Sequence, residues 1–296
     1  PPRSTLFPYT TLFRSNIATQ DTRVFVEDFK PVSSANIAIM ECTYCSKERQ
    51  CTKETYKKDI EKIKSVIEQY CVDNNARVLI PSFSLDRTPY ILWILYSLFG
   101  KDANFKVPIL IDSPLANRLL DCYSSILEGD KKELFDEMMS WKNVQRIIQP
   151  ENSKAAIADK GAKIILSSSG MLTAGRSIKW TQSILPRESD CILFMGYSGE
   201  DTLAWKIKHG KDNKTINING KPFKNKAQIY DLKSFSSHMQ RQDMINYYKS
   251  INCEKIYLVH GDSNKIEFKH DLEDAISDCL KSTKVVAVNS GTKISL

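Results

Sequence analysis

The residues best suited to chemistry in this chain are two histidines, each placed where an element ends. The run Lys255-Ile-Tyr-Leu-Val259 reads as a short buried strand and stops on His260-Gly261-Asp262. A polar residue at the carboxyl end of such a strand points into the crevice where α/β proteins place their sites. Gly261 lets the backbone turn sharply after the imidazole. A second ending, Ser234-Phe-Ser-Ser-His238, precedes a helix-like run. One histidine at a strand end reads as a hydrogen-bonded core residue. Two at element ends, in a chain with only four histidines, point to a site for proton transfer or metal ligation. Another apolar run, Ile37-Ala-Ile-Met40, reads as a buried strand and ends on Glu41.

Positioning these side chains requires a particular set of elements. Strands are expected at 37–40, 77–81, 107–111, 163–166, 191–195, 255–259 and 284–288. Helices are expected at 52–72, where Ile60, Ile63, Ile67 and Tyr70 form a stripe, at 90–99 behind Pro89, from Leu115, around 131–141, from His238 to Tyr248, and over 266–280. Strands alternating with helices predict an α/β fold with a parallel, doubly wound sheet whose loops share one edge. The stretch 206–226 changes character. It is rich in lysine and asparagine, and its Asn219-Gly220 pair suggests a hairpin turn. Its lysines suit either a solvated, protected edge or a nucleic-acid contact.

At 296 residues with 42% hydrophobic content, the chain can bury one large core or two modest ones. No apolar run reaches membrane-spanning length, so no membrane association is expected. The net charge of +7 allows a polyanionic partner. The eight cysteines are scattered, which predicts reduced thiols and a cytoplasmic location. Cys42 and Cys45 form a lone C-x-x-C, short of the four ligands of a structural zinc. Residues 1–15 lack helical, strand or signal-peptide character and resemble the translation of a sequencing-adapter oligonucleotide. They are read as a non-native leader.

Seven phrases then occur in order: Glu-Cys-Thr-Tyr at 41–44, Pro-Ser-Phe-Ser-Leu-Asp-Arg-Thr at 81–88, Asp-Ser-Pro-Leu-Ala at 112–116, Ser-Gly-Met-Leu at 169–172, Gly-Tyr at 196–197, Phe-Ser-Ser-His at 235–238 and Leu-Val-His-Gly-Asp at 258–262. Together they resemble the β-CASP branch of the metallo-β-lactamase superfamily, zinc hydrolases that cleave RNA. The resemblance implies a partial metallo-β-lactamase αββα sandwich (16–54 and 228–296) with an inserted doubly wound β-CASP domain (55–227) and an active site in the cleft between them. It implies His260 as a zinc ligand, and His238, supported by Glu41, as the general acid for the leaving oxygen. It implies RNA as partner and two zinc ions in a complete parent, and leaves homodimerisation of that parent open. Arg87, Ser167, Ser168, Ser169, Gly170 with the helix start after it, and Arg176 are expected to receive RNA phosphates. Ordinary turn and cap chemistry is the alternative for the serines.

The chain departs from the family pattern in several places. No His-x-His-x-Asp-His run is present, and Asp21 and Asp28 are the only aspartates before Glu41. Cys45 and Asp86 stand where the family has glycine. These departures imply the C-terminal portion of a zinc-dependent ribonuclease, itself inactive and poorly able to retain zinc. The alternatives are a non-catalytic RNA-binding or scaffold subunit and a DNA-processing β-CASP nuclease.

Overall fold

The computed structural model describes residues 24–25, 32–46, 51–210, 214–236, 238–261, 266–280, 282–289 and 291–293. The leader at 1–15, Asp21, Asp28 and Asp262 lie outside them. The chain divides into two compact units, one spanning Glu27–Cys51 and Ser237–Leu296, the other Thr52–Ser236 with Val24–Val26. The second unit is therefore spliced into the sequence of the first.

The first unit is built on a three-stranded parallel sheet. Strand β1 (Ile37–Glu41) pairs with β10 (Lys255–Val259), which pairs with β11 (Lys284–Ala287). Side chains alternate across a strand. Ala38, Met40, Ile256, Leu258 and Val285 therefore share one face. Two helices supply the other side of that core, with Met244 and Tyr248 from α8 (Arg241–Tyr248) and Leu272 and Ile276 from α9 (Ile266–Ser277). Helix α8 starts three residues after His238, so the histidine stands in the bend before the helix.

The second unit holds a six-stranded, all-parallel sheet: β2 (Arg77–Pro81), β3 (Ile109–Ile111), β4 (Val144–Arg146), β5 (Lys163–Ser167), β6 (Cys191–Met195) and β9 (Gln228–Leu232). Their order is β4-β3-β5-β2-β6-β9. Val78, Ile80, Ile109, Ile111, Ile164 and Leu166 face one core, and the residues between them, Leu79, Leu110 and Ile165, face another. Continuous apolar strands buried on both faces are what a doubly wound sheet requires. The first core is covered by α1 (Lys53–Ile67), a π-helical turn (Glu68–Asp73), α2 (Arg87–Phe99), α3 (Pro114–Ile126) and α4 (Gly129–Ser140). The second is covered by α6 (Arg176–Ile184), α7 (Leu203–Lys208) and the hairpin β7 (Thr215–Ile218) and β8 (Lys221–Lys224). Asn219 and Gly220 turn that hairpin with φ 53° and 78°, the positive angles a two-residue loop needs.

Several expectations are corrected. No helix starts after Gly170. Helix α6 begins at Arg176 behind Gly175, whose φ is 82°. A Cβ on Gly175 would stand 2.3 Å from the Ser168 carbonyl, so glycine is needed there. The sequence boundary at 227 falls just before β9. Pairing of β9 with β6 keeps that strand in the six-stranded unit, which runs on to Ser236. The sequence also passed over β4, α5 (Pro150–Ala158) and α7, whose residues lack a strong apolar period. No helix among the described residues is long and apolar enough to cross a membrane.

Candidate active site

Glu41 and His260 become neighbours through strand register. Glu41 pairs with Val259 at the last position of the β1–β10 ladder, and the Cys42 N–H continues it to the Val259 carbonyl at 2.8 Å. The next residue on β10's side is His260, which leaves the strand with φ 59°. Gly261 has no room for a side chain. A Cβ there would lie 2.7 Å from Cys42 Sγ and from Lys269 Cε. His238 arrives from the segment before α8, and the Met239 N–H donates to Glu41 Oε1 at 3.3 Å. Tyr248, at the far end of α8, donates its hydroxyl to the Glu41 carbonyl at 2.6 Å. One helix thus holds the acid's backbone at one end and presents the histidine at the other.

The side chains form a closed group. Glu41 is 3% exposed, and its Oε2 lies 2.6 Å from His238 Nδ1 and 2.6 Å from Thr43 Oγ1. A carboxylate only accepts, so His238 carries its hydrogen on Nδ1 and Nε2 is its basic nitrogen. Thr43 spends its one proton on Glu41. Its oxygen, 3.0 Å from His260 Nδ1, then accepts from that ring, and Nε2 is the basic nitrogen of His260 as well. The two rings lie 5.4 Å apart between centroids, and Tyr44 meets His238 edge-on at 5.8 Å. Exclusion of water from part of the ring, and then the nearby His238, pull the His260 pKa below its ordinary 6.5, with the Glu41 carboxylate working the other way. His260 is therefore a neutral imidazole at neutral pH, the form that ligates metals.

Glu41, His238 and His260 offer ligand atoms that lie within 4.8 Å of one another, the described residues' one group of this kind. Imidazole nitrogen and carboxylate oxygen are the donors zinc takes in catalytic sites. The set therefore fits a zinc ion in kind. Glu41, however, already accepts three hydrogen bonds, so the two imidazoles are the available donors. Cys42 is fully buried and donates to the Val259 carbonyl. Burial, followed by Cys45, raises its pKa to about 12. Neither Cys42 nor Cys45 belongs to the metal group. Thr43 was legible as part of a motif, but its role as the hinge of three side chains was not. Tyr248 gave no signal beyond its helical position.

The six residues expected to contact phosphates all lie in the second unit, and the structure treats them unequally. Arg176 ion-pairs with the buried Asp112 at 2.6 Å and donates to the Ile147 and Ile148 carbonyls at 3.1 and 2.7 Å, a brace between loops. Arg87 is 7% exposed and donates to the Met195 carbonyl at 2.9 Å. Ser167 is fully buried with its hydroxyl on the Asp112 carbonyl. Ser169 accepts from the Thr173 N–H at 2.9 Å, the turn chemistry named above as the alternative. Ser168, 2.7 Å from the Ser84 hydroxyl, and Gly170 line the loop at the carboxyl end of β5.

An acid-held imidazole thus stands beside a metal-competent one, on a sheet whose sequence is interrupted by a doubly wound insertion. Comparison with known families is specific. Residues 88–207 match the Beta-Casp domain and residues 224–277 match the Zn-dependent metallo-hydrolase RNA specificity domain. The chain belongs to the β-CASP branch of the metallo-β-lactamase superfamily. It is 28% identical to the transcription termination factor FttA of Methanocaldococcus jannaschii, over 73% of this chain and 35% of that protein. It is 26% identical to Ribonuclease TTHA0252 of Thermus thermophilus, over 78% of this chain and 53% of that protein. It is 26% identical to Endoribonuclease YSH1 of Saccharomyces cerevisiae, over 79% and 30%. The chain thus spans between about a third and about half of the length of these relatives.

Proposed function

We propose that this chain carries the proton-transfer part of a zinc-dependent ribonuclease, with the three-stranded unit as part of a metallo-β-lactamase domain and the six-stranded unit as its β-CASP domain. The observation that carries the reading is the Glu41–His238 contact at 2.6 Å beside His260, in a chain matching an RNA specificity domain. Glu41 keeps the His238 hydrogen on Nδ1, aims the ring, and stabilises it when it becomes charged. His238 Nε2, once protonated, hands its proton to the oxygen that leaves phosphorus when an RNA phosphodiester is hydrolysed. His260 Nε2 is a neutral nitrogen suited to hold zinc. Zinc, when bound, supplies Lewis acidity toward the phosphodiester and toward water. A catalytic zinc takes three protein ligands. The described residues offer two available imidazoles at the site, so by themselves they would hold zinc weakly.

The test is single-turnover cleavage of a labelled single-stranded RNA by purified protein titrated with zinc, with metal content measured after dialysis. Zinc-dependent product that falls about 100-fold or more in Glu41→Gln and His238→Ala, at unchanged RNA affinity, is the expected result for loss of a positioned general acid. Cleavage at full rate by His238→Ala overturns the assignment, and two tightly held zinc ions per chain overturn the weak-binding statement.

A further inference from the structure

Five of the seven exposed large hydrophobic side chains among the described residues share one place in the fold, the exceptions being Val72 and Ile126. Phe83 and Leu85 follow β2, Leu115 follows β3, Ile148 follows β4, and Tyr197 follows β6. All of these strands are parallel, so the five residues stand along a single edge, the carboxyl edge of the six-stranded sheet. Strand order places them in the succession Ile148, Leu115, Phe83 with Leu85, then Tyr197, with the Ser168–Ser169 loop of β5 between Leu115 and Phe83. Strands lie about 4.8 Å apart, so the row runs for about 20 Å.

The row is interrupted by hydroxyls. Ser84 sits between Phe83 and Leu85, 2.7 Å from Ser168 Oγ and 3.3 Å from Ser113 Oγ. The aromatic members are held rather than loose. The Phe83 carbonyl accepts from the Thr88 N–H at 3.1 Å and the Thr88 hydroxyl at 2.8 Å. The Phe83 ring rests on bare backbone: a Cβ on Gly170 would come within 3.3 Å of it, yet Phe83 remains 47% exposed. Arg87 joins the loops after β2 and β6, bonding to the Met195 carbonyl and lying 3.6 Å from where a Gly196 Cβ would be. Phe83 and Tyr197 are therefore on loops fixed beside one another.

We propose that Phe83 and Tyr197 are base-stacking residues for single-stranded RNA. This rests on the ribonuclease reading and names the contact by which the second unit would hold substrate. A protein interface wants a contiguous apolar core with a polar rim. A narrow row of separate apolar side chains, with two rings on loops fixed beside one another, matches a strand whose successive bases each need a flat surface, and the chain's net charge of +7 suits that partner. Stacking is tolerant of sequence, so the strip would secure RNA without selecting a base.

The experiment is a binding titration of the whole chain with a fluorescein-labelled oligouridylate at two salt concentrations. Phe83→Ala is expected to weaken binding about tenfold, and Tyr197→Ala likewise, while Ile126→Ala, exposed away from this edge, leaves it unchanged. The slope of affinity against salt should stay the same in Phe83→Ala, because no phosphate contact is removed. Phe83→Trp should bind as tightly as the parent, with its indole fluorescence quenched by RNA. Equal binding by Phe83→Ala, or an unquenched indole in bound Phe83→Trp, overturns the stacking role while the ribonuclease reading stands. No RNA binding by the parent chain overturns both. Unchanged RNA affinity with loss of self-association in Phe83→Ala overturns the proposal in favour of a contact between copies.

Discussion

At the scale of single residues, ionisation state decides what each group can do. His260 has its pKa drawn below 6.5, so the unfolded chain binds more protons than the folded one as pH falls. The contribution of a neutral His260 to stability is full above about pH 6.5 and is lost as pH falls through the folded-state value. Ring-proton NMR of metal-free protein should show one histidine titrating below 6.5, and that signal should vanish in His260→Ala; a midpoint above 6.5 would contradict the assignment. Cys42 presents the opposite case. Its thiol, pushed up to about 12 by burial, stays protonated at neutral pH, and the thiolate is the nucleophile. Native alkylation with iodoacetamide followed by peptide mapping should label the exposed Cys122 and Cys279 well before Cys42. Early labelling of Cys42 would show that the turn after Glu41 opens readily.

Two loops at the carboxyl edge of the six-stranded sheet carry unusual backbone, and at the scale of elements they should respond in opposite directions. Asp86 stands where the family has glycine and adopts φ 59°, ψ −54°, with the Arg87 N–H bonded to the Leu85 carbonyl at 2.6 Å. This is a γ-turn of the strained hand. Asp86→Gly should relieve the strain and stabilise the protein by about 1 kcal/mol. At Gly175 the left-handed φ and the 2.3 Å approach to Ser168 make Gly175→Ala costly, by about 2 kcal/mol or more. Urea midpoints at constant slope measure both, and a destabilised Asp86→Gly would mean that its side chain does more for the turn than its φ takes away. Pro89 shows why the helix after this loop was legible. It occupies the first turn of α2, where its missing N–H leaves nothing unsatisfied.

The second unit is fastened at the amino end of its sheet, away from the candidate RNA strip. Arg77 and Asp190 are 0% and 1% exposed in their side chains, and Arg77 donates to Asp190 from Nε at 2.9 Å and from its backbone at 3.2 Å. Removing one member of a buried pair leaves the other charge uncompensated. Asp190→Ala should therefore lower whole-molecule stability by about 3–5 kcal/mol, read by chemical denaturation. A loss under 1 kcal/mol would mean that water enters this end of the sheet. Two lysines of the second unit pair in different places: Lys208, its side chain 4% exposed, pairs with Asp231 at 2.7 Å and donates to the Gly196 carbonyl at 2.7 Å beside Tyr197, whereas the more exposed Lys226 pairs with Glu188 at 3.1 Å. These two lysines of the 206–226 stretch are committed to ion pairs.

What the sequence determined by itself was periodic or punctuated. The apolar runs at 77–81, 163–167 and 191–195 could be buried only as strands covered on both faces, and Asn219-Gly220 could turn only a tight hairpin. His260 and His238 stood out because two histidines at element ends, in a chain of four, outnumber what core hydrogen bonding needs, and Glu41 stood out only through the motif it opens. Tertiary structure decided everything that depends on who sits opposite whom. Register alone set Glu41 against Val259 and so placed His260 beside it. Only folding turned Thr43 into the hydroxyl that donates to Glu41 and accepts from the His260 ring, and only folding committed Arg176 to Asp112 as a brace. The reason is physical. Hydrophobic period is a property of neighbours along the chain. Hydrogen-bond partnership between residues 197 positions apart, as for Glu41 and His238, is a property of the packed molecule, in which a buried polar group must find its partner wherever the fold brings one.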